Sequence, residues 1–214
     1  MRNEGGALVE RARALVRPGQ RALLGITGAP GAGKTTLARA LVDALVDAPP
    51  PGAVAGEWIA HVPMDGFHLA DVELRRLGRA GRKGAPDTFD AAGYAALLER
   101  LREPADDVVY APAFDRDIEQ PVAGSIPVHP GCRLVVSEGN YLLFDESPWP
   151  RVRACFDEVW FCDLDDDERR RRLVARHVEF GKSPDAAHAW VHDTDERNAQ
   201  LVRRYRDRAD LVVL

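Results

Sequence analysis

GAPGAGKT, Gly28 to Thr35, follows the apolar run Ala22-Leu23-Leu24-Gly25-Ile26 and leads into Leu37, Leu41 and Leu45 at helical spacing. A strand that ends in a glycine-rich turn and restarts as a helix is the context in which this pattern binds phosphate. Gly28, Gly31 and Gly33 let backbone N–H groups turn inward around phosphate oxygens, in conformations and at approach distances that a Cβ would obstruct. Together with Ala29, Pro30 and Ala32 they form the expected cradle. Lys34 then reaches the β and γ phosphates, Thr35 offers a hydroxyl to Mg²⁺, and Thr36 continues the site. The positive end of the helix that begins here favours an anion. The plain alternative is a glycine-rich turn that binds nothing. On the first reading the expected ligands are ATP and Mg²⁺.

The 214 residues suit one α/β domain, 1–214, large enough to bury a sheet between two helical layers. With 45% hydrophobic and 29% charged residues and a net charge of −5, nothing drives the chain towards nucleic acid. Cys132, Cys155 and Cys162 are odd in number and lack CxxC spacing, which speaks against a disulfide framework or a structural zinc. No signal-peptide pattern and no membrane-length apolar run is present, so a cytoplasmic location and no membrane partner are expected. Amphipathic surface helices leave room for a homodimer.

Apolar spacing predicts helices over about 4–17, from the phosphate loop to Asp47, Leu69–Leu77, Asp90–Leu101, Asp165–Phe180, and from Ser183-Pro184 to about Arg206. Strands are expected at 22–26, Glu57–Met64, Val108–Tyr110, Arg133–Ser137, Glu158–Cys162 and Ala209–Leu214. From Tyr110 to about Gly131 the prolines, aspartates and glycines predict a long functional loop. Strands alternating with helices give a doubly wound, mostly parallel sheet whose ligands sit at the carboxyl ends of its strands.

Asp65 ends the second strand, where a carboxylate can take a proton from a substrate hydroxyl or help to hold Mg²⁺; otherwise it caps a helix starting near His68. Phe67 and His68 lie beside it as acceptor contacts, though a polar side chain at a helix start would also suit His68. Glu138, with Asn140 two residues on, ends the apolar strand at 133–137; it is either the acid that works with the metal or an exposed strand-end carboxylate. Arg169, Arg170, Arg171, Arg172 and Arg176 have the density of a lid closing over a migrating phosphoryl group, set against a solvated helix face with acids at its start. Lys83 stands before a turn leading to Asp90, read as a helix cap first and a substrate contact second. Phe114-Asp115-Arg116 suits recognition of a polar small molecule, or a surface loop pinned by ion pairs.

GAPGAGKT, MDGFHL, KGAPDTFD, YAPAFDR, SEGNYLL and the arginine-rich helix occur in that order over nearly the whole chain. In this the chain resembles the P-loop kinases that include uridine kinase, phosphoribulokinase and bacterial pantothenate kinase, nearest to the nucleoside kinase-like or fructose-transport-system kinase branch. The resemblance implies Asp65 as catalytic base, Glu138 assisting metal and substrate, and lid arginines at Arg169, Arg172 and Arg176, with a lid over about 165–185 and acceptor segments over about 65–90 and 110–130. Uridine kinases carry a ribose-binding acid where this chain has Lys83-Gly84. That departure favours an acceptor bearing a carboxylate or phosphate.

The leading expectation is therefore an ATP-dependent kinase acting on a hydroxyl of a sugar, nucleoside or pantothenate-like acceptor, with Lys34, Asp65, Arg172 and Arg176 carrying the chemistry. The rival is a weakly catalytic, nucleotide-dependent regulator. Against it, the chain has no NKxD-like guanine reader and no obvious switch threonine.

Overall fold

The computed structural model describes residues 2–103 and 106–214; Met1, Pro104 and Ala105 lie outside the described residues. Strand β1 (Ala22–Gly28) is buried at every position because it is the middle of the sheet. β5 (Leu134–Glu138) lies on one side, pairing Ala22 with Leu134 through Ile26 with Glu138. β6 (Glu158–Cys162) lies on the other, pairing Leu24 with Glu158 through Gly28 with Cys162. β2 (Ile59–His61) and β7 (Leu211–Val213) complete the order β2-β5-β1-β6-β7, with every pair parallel. Strands buried on both faces read as continuous apolar runs, as β1 and β5 do.

Successive β1 side chains enter opposite cores. Leu23 joins Val135, Val159 and Phe161 beneath α4 (Ala91–Arg102), α5 (Trp149–Ala154) and α8 (Glu196–Arg203). Leu24 and Ile26 join Leu134, Val136 and Trp160 beneath α2 (Lys34–Leu45), on which α1 (Arg2–Ala14) packs. Burying each such side chain is worth about 1.5–3 kcal/mol relative to exposure. The reading frame of the whole sheet is thereby fixed, since a one-residue slip would exchange the two cores.

Two expectations change. The segment after Tyr110 is an antiparallel hairpin, β3 (Val109–Asp115) against β4 (Gln120–Val128), separate from the main sheet. Pro112, Pro121 and Pro127 disguise it, yet each strand of a two-stranded ribbon has a free side that tolerates a missing N–H. The last helix is likewise not continuous: α7 (Pro184–Trp190) passes through a π-helical turn, Val191–Asp195, into α8. That turn lets Val191 and Asp195 both face inward, where Asp195 meets His177 at 2.8 Å.

Between β2 and α4, a 3₁₀ turn (Met64–Phe67) and the short α3 (Asp71–Arg76) occupy the carboxyl edge of the sheet. The following loop is stitched back onto that turn: Leu69 N–H donates to the Thr88 carbonyl at 2.9 Å and Asp90 N–H to the Phe67 carbonyl at 2.8 Å. α6 (Asp166–Glu179) is the arginine-bearing helix, begun by Asp165, whose carboxylate accepts from the N–H groups of Asp167 and Glu168.

Candidate active site

The loop after β1 is fixed by what surrounds its glycines. A Cβ on Gly28, at φ 148°, would stand 2.5 Å from the Cys162 carbonyl oxygen of the neighbouring strand. One on Gly31, at φ 79°, would stand 2.7 Å from Leu173 Cγ, so α6 lies directly against the loop. Lys34 Nζ donates to the carbonyls of Gly28 and Ala29, both at 3.0 Å. Burial pushes this ammonium below the usual lysine range, an effect opposed by the charge of Glu138. A cavity of about 170 Å³ opens between Gly31, Gly33, Lys34, Thr35 and Thr36 of the loop and Arg172, Leu173 and Arg176 of α6.

Two carboxylates reach the same edge. Glu138, at the end of β5, is 4% exposed and accepts from the Thr35 hydroxyl at 2.8 Å, which excludes the reading of an exposed strand-end acid. Burial, and then the charge of Asp65, hold its carboxyl above the usual range. Asp65 sits in the 3₁₀ turn. Among the described residues its side chain caps no helix, because α3 begins only at Asp71. Its backbone carbonyl accepts from His68 Nδ1 at 2.8 Å. The glycine after each carboxylate is dictated by packing: a Cβ on Gly66 would collide with the Pro112 carbonyl, and one on Gly139 would lie 2.6 Å from Met64 Sδ.

Burial pushes the His68 imidazolium below the usual range, and Asp65 opposes that shift. The ring is therefore neutral near pH 7, with Nδ1 carrying the hydrogen given to the Asp65 carbonyl and Nε2 left as an acceptor. His68 packs between Phe89 and Phe114, at centroid distances of 4.0 and 4.7 Å. Arg116, at the tip of the hairpin, lies 3.5 Å from the Asp65 carboxylate. Its guanidinium lies over the rings of Phe114 and Phe180, with centroids 5.9 and 5.8 Å away.

Several expected contacts have other duties. Phe67 packs on Tyr94, centroids 5.1 Å apart, so its ring belongs to the core. Asp90 is the cap of α4, accepting from Gly93 N–H at 2.8 Å. Lys83 is paired with Asp71 at 2.6 Å and also donates to the Glu119 carbonyl, so the cation expected to meet an acceptor anion is already engaged. Asn140 contributes its carbonyl, which accepts from Thr27 Oγ1 at 3.1 Å.

The arginines of α6 divide sharply. Arg169 is fully buried, held by Asp166, Glu196 and the Pro30 carbonyl; its guanidinium braces the loop from behind and does not face the cavity. Arg170 and Arg171 pair with acids of the same helix, Arg170 with Asp166 and Asp167 and Arg171 with Glu168. Arg172, paired with Glu168 at 2.7 Å, and Arg176 line the cavity. Burial, and then the charge of Arg116, push Arg176 below the usual guanidinium range. Phe180 and Glu196 carried no signal in the sequence, since each acts on a partner far away in the chain.

The family model that matches residues 23–214 is that of the phosphoribulokinase/uridine kinase family. The chain belongs to that family. An Aspergillus versicolor ATP-dependent kinase-like protein, notR', is 39% identical over 152 residues, covering 67% of this chain and 88% of its own. A Schizosaccharomyces pombe protein provisionally named a uridine kinase is 34% identical over 178 residues, covering 81% and 74%. A solved structure from Silicibacter sp. TM1040, provisionally named a fructose transport system kinase, superposes with a TM-score of 0.87 at 36% identity over 98% of both chains. As a phosphoribulokinase/uridine kinase family member, the chain is a P-loop kinase, and that membership implies nucleotide binding. Among the described residues no helix is long and apolar enough to cross a membrane, and no cluster of three or more His, Cys, Asp or Glu side chains forms a metal cage.

Proposed function

We propose that the chain transfers the γ-phosphoryl group of ATP to a hydroxyl of a small polar acceptor held between Asp65 and the β3–β4 hairpin. One observation carries this reading: the turn that bears Asp65 packs at Met64 against Gly139, beside Glu138, which accepts from Thr35 of the nucleotide loop, so the Asp65 carboxylate, approached by Arg116 at 3.5 Å, stands beside that loop. Lys34 exchanges the carbonyls of Gly28 and Ala29 for the β and γ phosphates, a short movement of one flexible side chain. Asp65 orients the acceptor hydroxyl and takes its proton as the oxygen bonds to the γ phosphorus and the bond to the β–γ bridging oxygen breaks. Arg172 and Arg176 spread donors over the charge in transfer.

The donors present fit Mg²⁺, which takes hard oxygen ligands and few of them from protein: the Thr35 hydroxyl and the Glu138 carboxylate, 2.8 Å apart, would hold it, with Asp65 nearby. When bound, the metal neutralises charge on the β and γ oxygens. Most of the acceleration on this account comes from positioning and electrostatics.

ADP release from MgATP, measured over a panel of sugars, nucleosides and pantothenate-like acids, tests the reading. An acceptor should stimulate release. Asp65→Asn should then bind ATP as the native chain does while losing about a hundredfold or more in turnover. Undiminished turnover in that variant removes Asp65 from catalysis, and stimulation by a macromolecule alone favours a regulatory role.

A further inference from the structure

We propose that Arg116 is the specificity residue for an anionic group, a carboxylate or a phosphate, on the acceptor, and that this group replaces Asp65 as its partner. The inference rests on the reading of Asp65 given above. A guanidinium carries five N–H donors in a planar fork, matched to the two oxygens of a carboxylate or the face of a phosphate. The Arg116 guanidinium lies over two aromatic rings, Phe114 from the hairpin at 5.9 Å and Phe180 from the end of α6 at 5.8 Å. A cation–π contact at this distance occupies no N–H group and leaves the N–H edge available. That edge is almost unused. Among the described residues its sole ion pair is the 3.5 Å approach to Asp65, longer than a charged hydrogen bond of about 2.7–2.9 Å.

Two further observations point the same way. Lys83, the other cation against Phe114, is already neutralised by Asp71 at 2.6 Å. The charge of Arg116 depresses the charged state of Arg176, so two guanidiniums stand near one another, with the Asp65 carboxylate 3.5 Å from one of them. An added anion would relieve that repulsion. It would also draw Arg116 away from Asp65, leaving the carboxylate free to meet the hydroxyl, so acceptor binding and readiness of the base become one event.

Phe180 ties this to the fold. It follows directly on α6, the helix that carries Arg172 and Arg176, so seating an anion on Arg116 also fixes the far end of that helix.

Matched pairs that differ in one charge make the test: gluconate with glucose, pantothenate with panthenol, and fructose 6-phosphate with fructose. Binding is read by thermal shift in saturating MgADP, and transfer by ADP release from MgATP. At least one charged member should stabilise the protein and be turned over with a kcat/KM about tenfold or more above its neutral counterpart. Arg116→Gln should raise KM for that substrate by about tenfold or more with a smaller change in kcat, and Arg116→Lys should recover part of the loss. The carboxylate and phosphate arms tell the two sources of charge apart. Neutral members used as well as charged ones, a KM untouched by Arg116→Gln, or no stabilisation by any charged member overturns the proposal. Binding of a charged member without phosphoryl transfer leaves the anion site standing and overturns the kinase reading.

Discussion

His61 ends β2 with Nε2 buried and without a hydrogen-bond partner. Burial, and then the charge of Arg39, push its imidazole down to about 4. Because the folded value lies below the unfolded one of about 6.5, stability from this residue is complete above about pH 6.5 and is lost as the pH falls from there towards 4, the range in which mainly the unfolded chain takes the proton. The loss amounts to about 2–3 kcal/mol by pH 4.5. Urea unfolding of the native chain and His61→Asn at pH 7.5 and 4.5 should show the native chain losing that much more; parallel losses would contradict it. At this scale the sequence was clear where one residue meets a backbone rule: Gly28, Gly31 and Gly33 stand at positive φ in the loop, and Asp90 caps the helix it precedes. Duties that depend on a distant partner were not legible. Arg169 and Lys83 look like functional cations in the sequence, and only Glu196 and Asp71 explain why each is engaged.

At the scale of elements, the hairpin and the 3₁₀ turn are locked together at Gly66, whose hydrogen faces the Pro112 carbonyl where no Cβ fits. Gly66→Ala must part the two. A cost of about 1–3 kcal/mol in urea unfolding is expected, as for other overpacked contacts. Kinetically, KM for the acceptor should rise more than KM for ATP, because the hairpin carries Arg116 and the nucleotide loop lies elsewhere. Unchanged stability, or a larger effect on ATP, would count against the hairpin as the acceptor wall. Proline hid this element from a reading by periodicity, since Pro112, Pro121 and Pro127 are loop signals in a central strand and tolerable in a ribbon. The π-helical turn at Val191–Asp195 was hidden for another reason: one extra residue in a turn leaves helical composition unchanged and alters only which side chains face inward.

For the whole molecule, the doubly wound, parallel sheet was legible because its strands are apolar runs, buried on both faces and separated by amphipathic helices, whereas the order β2-β5-β1-β6-β7 was not. That order places β1, β2 and β5 side by side at one edge, bringing Lys34, Asp65 and Glu138 together from segments widely separated in the chain. On the proposed mechanism the loop after β1 holds the nucleotide while Asp65 serves the acceptor. Titration calorimetry with the magnesium complex of a non-hydrolysable ATP analogue tests this most directly, on the native chain, Lys34→Ala and Asp65→Asn. Lys34→Ala should weaken binding by about tenfold or more, the worth of a charged hydrogen bond, while Asp65→Asn stays within about threefold of native. Native protein that fails to bind the analogue, or Lys34→Ala that binds it equally well, would contradict the account.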